Sequence, residues 1–262
     1  TGEKVKFFPY DHQIETAFQI LRNRYCTAEV ATAGGKSLII SIVYFYILKY
    51  LKPNAKFLLI VPSITLVTQF YDDILEYNFG KFKENKNPMD LRIQEIMSDK
   101  PRVWHGTGEP NIYISTFQSL SKISNFGRPF YLQFDAVACD EAHQAKAESF
   151  NKILSRTLLN AYYQFGVSGT FQDDGFAEFI SIQALTGPKV SIVRAKELQD
   201  KGIISNVHVS QIQLNHNDPE FRDRLKEIRK GANSGAEAYR LEGDYVRNSE
   251  KRMEFIAKLL HK

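Results

Sequence analysis

The chain has 262 residues, 43% hydrophobic and 24% charged, a balance that supports a substantial buried core and excludes a disordered tail. Lys and Arg number 34 against 30 Asp and Glu, and the resulting +4 is too mild for bulk charge to identify a nucleic-acid or membrane partner. No run approaches the roughly 18 apolar residues of a membrane span, and the charged start (Glu3, Lys4, Lys6) leads into no signal-peptide core, so a soluble, cytoplasmic chain without a membrane partner is expected.

Ile14, Ala17, Phe18 and Leu21 follow helical spacing, and Cys26 to Ala31 then reads as a strand ending in Thr32-Ala33-Gly34-Gly35. A helix is expected from Ser37 to about Leu51, where Pro53 stops it. The continuous apolar run Phe57 to Val61 predicts a strand covered on both faces, and Ser63 or Thr65 then caps a helix to about Tyr77. Further strands are expected at Leu91 to Met97, Asn111 to Ser115, Phe134 to Cys139 and Tyr163 to Ser168, with helices near Ala145 to Leu159 and Phe176 to Leu185. Cys26 and Cys139 lie in apolar stretches with no Cys-x-x-Cys spacing, which excludes a disulfide framework or zinc site and predicts buried thiols.

After about Gly187 the pattern changes. A strand near Val190 to Val193, a helix near Ala195 to Lys201 and a strand at Asn206 to Leu214 precede two charged helical segments, Pro219 to Lys230 and Ala236 to Lys262. Residues 219–262 carry eleven Lys and Arg against eight Asp and Glu, most of the net charge. The expected division is therefore 1–187 as a doubly wound α/β domain with a parallel sheet and 188–262 as a connection and mostly helical extension. Such a sheet binds ligands at the carboxyl ends of its strands, so the informative residues are those just after each apolar run.

After the first strand comes Ala31-Thr32-Ala33-Gly34-Gly35-Lys36-Ser37. A glycine-rich turn opening a helix wraps backbone N–H groups around a polyphosphate such as that of ATP, brings Lys36 to the β and γ phosphates and offers the Ser37 hydroxyl to Mg²⁺. Val30 stands where the usual phosphate-loop pattern begins with Gly or Ala. After the strand ending at Cys139 comes Asp140-Glu141-Ala142-His143. Adjacent carboxylates at a strand end suit a shared metal and water, Asp140 holding Mg²⁺ and Glu141 polarising an attacking water.

With these residues the chain resembles the first RecA-like lobe of a superfamily 2 helicase of the DExH type, and among these the phage UvsW-type DNA helicases and translocases. The resemblance covers about residues 8–205 and rests on Tyr10-Asp11-His12-Gln13, Ala31 to Ser37, Ile60 to Gln69, Ile114 to Leu120, Asp140 to His143 and Val167-Ser168-Gly169-Thr170, in that order. It implies a RecA-like P-loop fold and ATP with Mg²⁺ as cofactors, with Gln13 on the adenine edge and Ala33, Gly34, Gly35, Lys36 and Ser37 around the phosphates. The Arg often found before this Gln in relatives is absent; Tyr10 and Asp11 stand there. The resemblance further implies that His143, Ser168 and Thr170 couple nucleotide state to strand grip, and that Ser63, Thr65, Thr116 and the glycine of His105-Gly106 lie along the nucleic-acid track. Ser63, Thr65 and Thr116 serve equally well as helix caps; Trp104 could stack a base, but a solitary Trp beside a loop is more often a packing residue.

The expected function is thus an ATP-dependent helicase or translocase lobe acting on DNA, single-stranded or branched, with RNA as an alternative substrate and the host cytoplasm as its place if phage-encoded. No Gln-x-x-Gly-Arg-x-x-Arg-like stretch follows residue 170. In the family that stretch supplies an arginine finger from the second lobe, so the chain reads as one lobe plus the start of another, binding nucleotide but hydrolysing it feebly. The Met253, Ile256, Ala257 and Leu260 spacing resembles the helix opening that lobe. A nucleotide-gated binding or docking module, and the motor of a restriction or remodelling enzyme, are the alternatives.

Overall fold

The computed structural model describes residues 8–80, 88–97, 100–101, 108–122, 128–144, 148–157, 160–170, 177–206, 219–232 and 234–260. Trp104, His105, Gly106 and the strand expected at Asn206 to Leu214 lie outside these, apart from Asn206 itself. The chain divides into two compact units, Thr1–Asn206 and Val207–Lys262.

In the first unit, α1 (Asp11–Asn23), β1 (Tyr25–Val30), α2 (Lys36–Tyr46), β2 (Phe57–Val61) and α3 (Ile64–Phe79) follow in turn. Next come β3 (Ile93–Met97), β4 (Lys100–Pro101), β5 (Ile112–Thr116), α4 (Phe117–Lys122), α5 (Arg128–Tyr131) and β6 (Ala136–Asp140). The unit ends with α6 (Glu148–Thr157), β7 (Tyr163–Ser168), α7 (Ala177–Thr186), β8 (Lys189–Val193) and α8 (Ala195–Asp200). One sheet contains all the strands in the order β4-β3-β5-β2-β6-β7-β1-β8, and every pairing is parallel except that of the two-residue β4. Because β8 pairs with β1, the unit continues past residue 187 to Asn206.

Strand alternation divides the core into two layers. Phe57, Leu59 and Val61 of β2 point to the layer formed by α1, α2 and α3, with Ile20, Ile39, Val43, Val67 and Phe70. Leu58 and Ile60 point to the opposite layer, with Leu120, Tyr131, Ile153, Leu154 and Ile182 from α4, α5, α6 and α7. All of β2 is buried, as a central parallel strand requires, and each such Leu, Ile or Phe contributes about 1.5–3 kcal/mol. Cys26 and Cys139 are buried free thiols, and burial pushes the Cys26 thiol up to about 12.

Local chemistry sets the helix ends. Ser63 caps α3 by accepting from the Leu66 N–H at 3.3 Å, and Gln13 Oε1 accepts the Tyr10 N–H at 2.9 Å where α1 begins. Ser63→Ala is expected to cost about 0.5–2 kcal/mol, read as a lower denaturant midpoint at unchanged slope. The helix expected to run unbroken to Leu51 instead changes at Ile47–Leu51 into a π-helical turn, with the Lys52 N–H reaching back to the Ile47 carbonyl.

The second unit contains α9 (Pro219–Gly231), α10 (Gly235–Arg247) and α11 (Glu250–Leu260). The segment expected from Ala236 onward is interrupted at Asn248-Ser249: the Asn248 N–H closes α10 on Asp244, and the Ser249 carbonyl receives the Met253 N–H to open α11. Arg229 pairs with Glu242 between α9 and α10. Among the described residues no helix is long and apolar enough to cross a membrane.

Candidate nucleotide-binding site

The strand register brings three loops to one edge of the sheet. Glu29 of β1 lies opposite Ser168 of β7, and Val167 opposite Asp140 of β6, so the residues that follow these strands emerge side by side. After β1 the chain turns tightly, the Gly34 N–H bonding to the Ala31 carbonyl at 2.9 Å. Ala33 and Gly35 take positive φ values of 66° and 82°. A Cβ on Gly34 would sit 2.8 Å from Val30 Cγ1 and 2.9 Å from the Ala31 oxygen, and one on Gly35 would run into the Gln13 amide. Val30, where the sequence departs from the usual pattern, is the fully buried end of β1, and its side chain lies against Gly34 and leaves no room for a larger residue there. Gly35 caps α2, so the free N–H groups of that helix start lie at the loop.

Lys36 Nζ is ion-paired and hydrogen-bonded to Glu141 Oε1. Glu141 itself has φ 48°, a left-handed conformation that a non-glycine residue holds only when its surroundings enforce it. Burial pushes its carboxyl up, but the Lys36 hydrogen bond and charge, His143 and the Gly169 N–H together hold it below the ordinary glutamate value. Asp140 goes the other way: burial, with the Glu141 charge, outweighs Lys36 and raises it to about 6. Its Oδ1 is buried and without a hydrogen-bond partner among the described residues. A carboxylate in that state suits a cation. No cluster of three His, Cys, Asp or Glu exists among the described residues, so a bound Mg²⁺ would complete its shell with ligand oxygens and water, its ordinary habit.

A hydrogen-bonded relay leads away from Glu141. His143 Nδ1 lies 2.6 Å from Ser168 Oγ and 3.2 Å from Glu141 Oε2, and the Ser168 hydroxyl is 3.3 Å from that oxygen and 3.0 Å from the Thr170 carbonyl. Ser168 is fully buried. Thr170 joins through its backbone, its N–H lying 3.4 Å from Ser168 Oγ; its exposed side chain makes no bond to Asp140 or Glu141. A Cβ on Gly169 would stand 3.3 Å from Thr32 Oγ1 and 3.6 Å from Lys36 Nζ, which places this turn against the phosphate loop.

Residues 6–173 match the family described as Type III restriction enzyme, res subunit. The chain belongs to that family. It is a helicase-family ATPase domain with a RecA-like superfamily 2 core. It is 27% identical to the ATP-dependent DNA helicase UvsW of Enterobacteria phage T4 over 251 residues, 96% of this chain but 45% of that protein. The chain thus spans less than half the length of this curated relative. In fold it is similar to the crystal structure of the UvsW helicase from bacteriophage T4, with TM-score 0.57 and 24% identity, covering 72% of this chain and 62% of the other. It is also similar to the Pyrococcus furiosus Hef helicase domain, with TM-score 0.60 and 16% identity, covering 84% and 45%.

The remaining expected residues of this helicase-family domain are placed less simply. Gln13 is buried against the phosphate loop: its Nε2 donates to the Gly34 carbonyl at 3.1 Å while its Oε1 holds the Tyr10 N–H, so both ends of the amide are engaged. His12, which the sequence did not single out, adds a second contact to the Gly34 carbonyl at 2.9 Å. Ser37 Oγ lies 3.0 Å from Tyr77 Oη, and no hydrogen bond joins it to Asp140. Ser63 and Thr65 are exposed at the start of α3. Thr116 is buried, and its hydroxyl bonds to Ser119 Oγ at 2.8 Å and accepts the Ser119 N–H at 3.1 Å. Capping occupies that side chain.

Proposed function

We propose that this domain is the first ATPase lobe of a DNA helicase or translocase, binding Mg²⁺–ATP at the loops after β1, β6 and β7. The observation that carries the reading is the convergence of Lys36, Asp140, Glu141 and Ser168 at one sheet edge. An incoming polyphosphate takes Lys36 from Glu141, and the N–H groups of the Gly34-Gly35 turn and the α2 start add to its grip. Mg²⁺, held by Asp140 and Ser37 together with nucleotide oxygens, would neutralise charge on the β and γ phosphates. Glu141, released from Lys36, orients a water in line with the γ phosphorus and takes its proton. The new P–O bond forms as the bond to the β–γ bridging oxygen breaks, and ADP departs. Ser168 and His143 then sense whether Glu141 faces Lys36 or the water.

Gln13 serves the adenine edge once its amide leaves the loop, having one donor and one acceptor to offer. Ser63 and Thr65 at the exposed start of α3 contact strand phosphates. The charge stabilisation that completes phosphoryl transfer comes from an arginine of a second lobe, which supports binding by this chain with feeble turnover. The test supplies that second lobe in trans. DNA-stimulated phosphate release should rise by about 10³-fold or more over the chain alone. Robust DNA-stimulated turnover by the 262-residue chain without it would refute this division of labour.

A further inference from the structure

The Ser37 hydroxyl belongs, by its place in the phosphate loop, to the Mg²⁺ position, yet its partners lie on α3. Tyr77 Oη is 3.0 Å away, and the Asp73 carboxyl, pushed up by burial, is held back by the nearby Ser37 hydroxyl. Asp73 and Tyr77 are four residues apart, one turn along the same face of α3. Either hydroxyl can donate in this pair; with Tyr77 as the donor, its proton occupies a Ser37 lone pair. Meanwhile Asp140 Oδ1, the neighbouring oxygen for the same cation, has no hydrogen-bond partner among the described residues.

We propose that Tyr77 forms a latch on α3 that holds the Ser37 hydroxyl off the metal position, so that binding of the Mg²⁺–nucleotide must break it. This rests on the nucleotide-binding reading above and adds a positioning residue to it. The lone pair that receives the Tyr77 proton is withdrawn from a cation, and a hydroxyl turned toward α3 must rotate to meet Asp140's ligand. Breaking the latch takes a contact from the second half of α3, the helix whose first turn carries Ser63 and Thr65. Metal loading is thereby felt by the element that faces the strand, without any movement of the sheet.

The test measures the affinity for a non-hydrolysable ATP analogue by calorimetry, in excess Mg²⁺ and in EDTA. Tyr77→Phe keeps the ring and removes only the donor. It should tighten binding about threefold to tenfold in Mg²⁺ and leave the EDTA value unchanged. Placed on Ser37→Ala, the same substitution should have no further effect, because the latch is already gone. An affinity unchanged or weakened in Mg²⁺, an equal shift in both media, or a full effect on the Ser37→Ala background would each overturn the latch. An unaltered chain that binds the analogue in neither medium would instead overturn the proposed function.

Discussion

Lys36→Ala should abolish measurable ATP binding, a loss of at least about 10²-fold in calorimetry. Lys36 is the only cation that the structure places between the phosphate loop and the acidic pair among the described residues. Removing one partner of a charge pair leaves the other charge behind without compensation. Here that charge is Glu141, with Asp140 beside it, so the empty site would become more repellent to a polyphosphate as well as less attractive. Circular dichroism should remain that of the parent, because Lys36 opens α2 without contributing to the buried core. Unchanged affinity would remove the phosphate-loop assignment.

Glu141→Gln should separate binding from chemistry. The amide is nearly isosteric and can still accept from Ser168, but it cannot act as a base, and loss of general-base assistance lowers rates by about 10²–10⁴-fold. With the ion pair gone, Lys36 is free for the phosphates, so ATP affinity should hold or improve a few-fold. Single-turnover hydrolysis, with the second lobe supplied, reads the first effect, and calorimetry the second. A variant that keeps both binding and single-turnover hydrolysis at the parent's level would show that Glu141 has no role in chemistry.

Much of this site can be read from the chain because each part sits beside a strong local signal. Phe57 to Val61 and Ala136 to Cys139 are apolar without interruption, so these strands, and with the second the position of Asp140, follow from the sequence, while the phosphate loop is marked by its own Gly34-Gly35-Lys36-Ser37. Short elements escape such reading. The six residues of α4 and four of α5 are too few to show a helical period, and β4 is a two-residue antiparallel pairing beyond a parallel sheet. The break between α10 and α11 falls at Asn248-Ser249, within a stretch whose apolar spacing continues on both sides.

Long-range contacts are the harder part. Tyr77 meets Ser37 across forty positions; its spacing from Val67, Phe70 and Ile74 marks it as inward-facing, but not which residue it meets. Thr116 has the sequence context of a cap, yet it ends the wholly buried strand β5 and its hydroxyl is taken up by Ser119. For Gln13 the residue was visible but its present partner was not: a carbonyl of the phosphate loop holds the amide. Which partner a polar side chain chooses depends on how helices cross above the sheet, and local sequence does not encode that crossing.

The register that aligns Glu29 with Ser168 and Val167 with Asp140 makes the sheet a ruler for the chemistry. Slip β6 by one residue and Cys139 would take the place of Asp140, while every side chain of that strand would exchange one core layer for the other. The penalty would fall on Val137 and Cys139 on one side and Ala136 and Ala138 on the other, all fully buried. Small errors of placement are therefore not available to this protein. Its carboxylates are either set in their working position by the whole packed core or they are lost together with it.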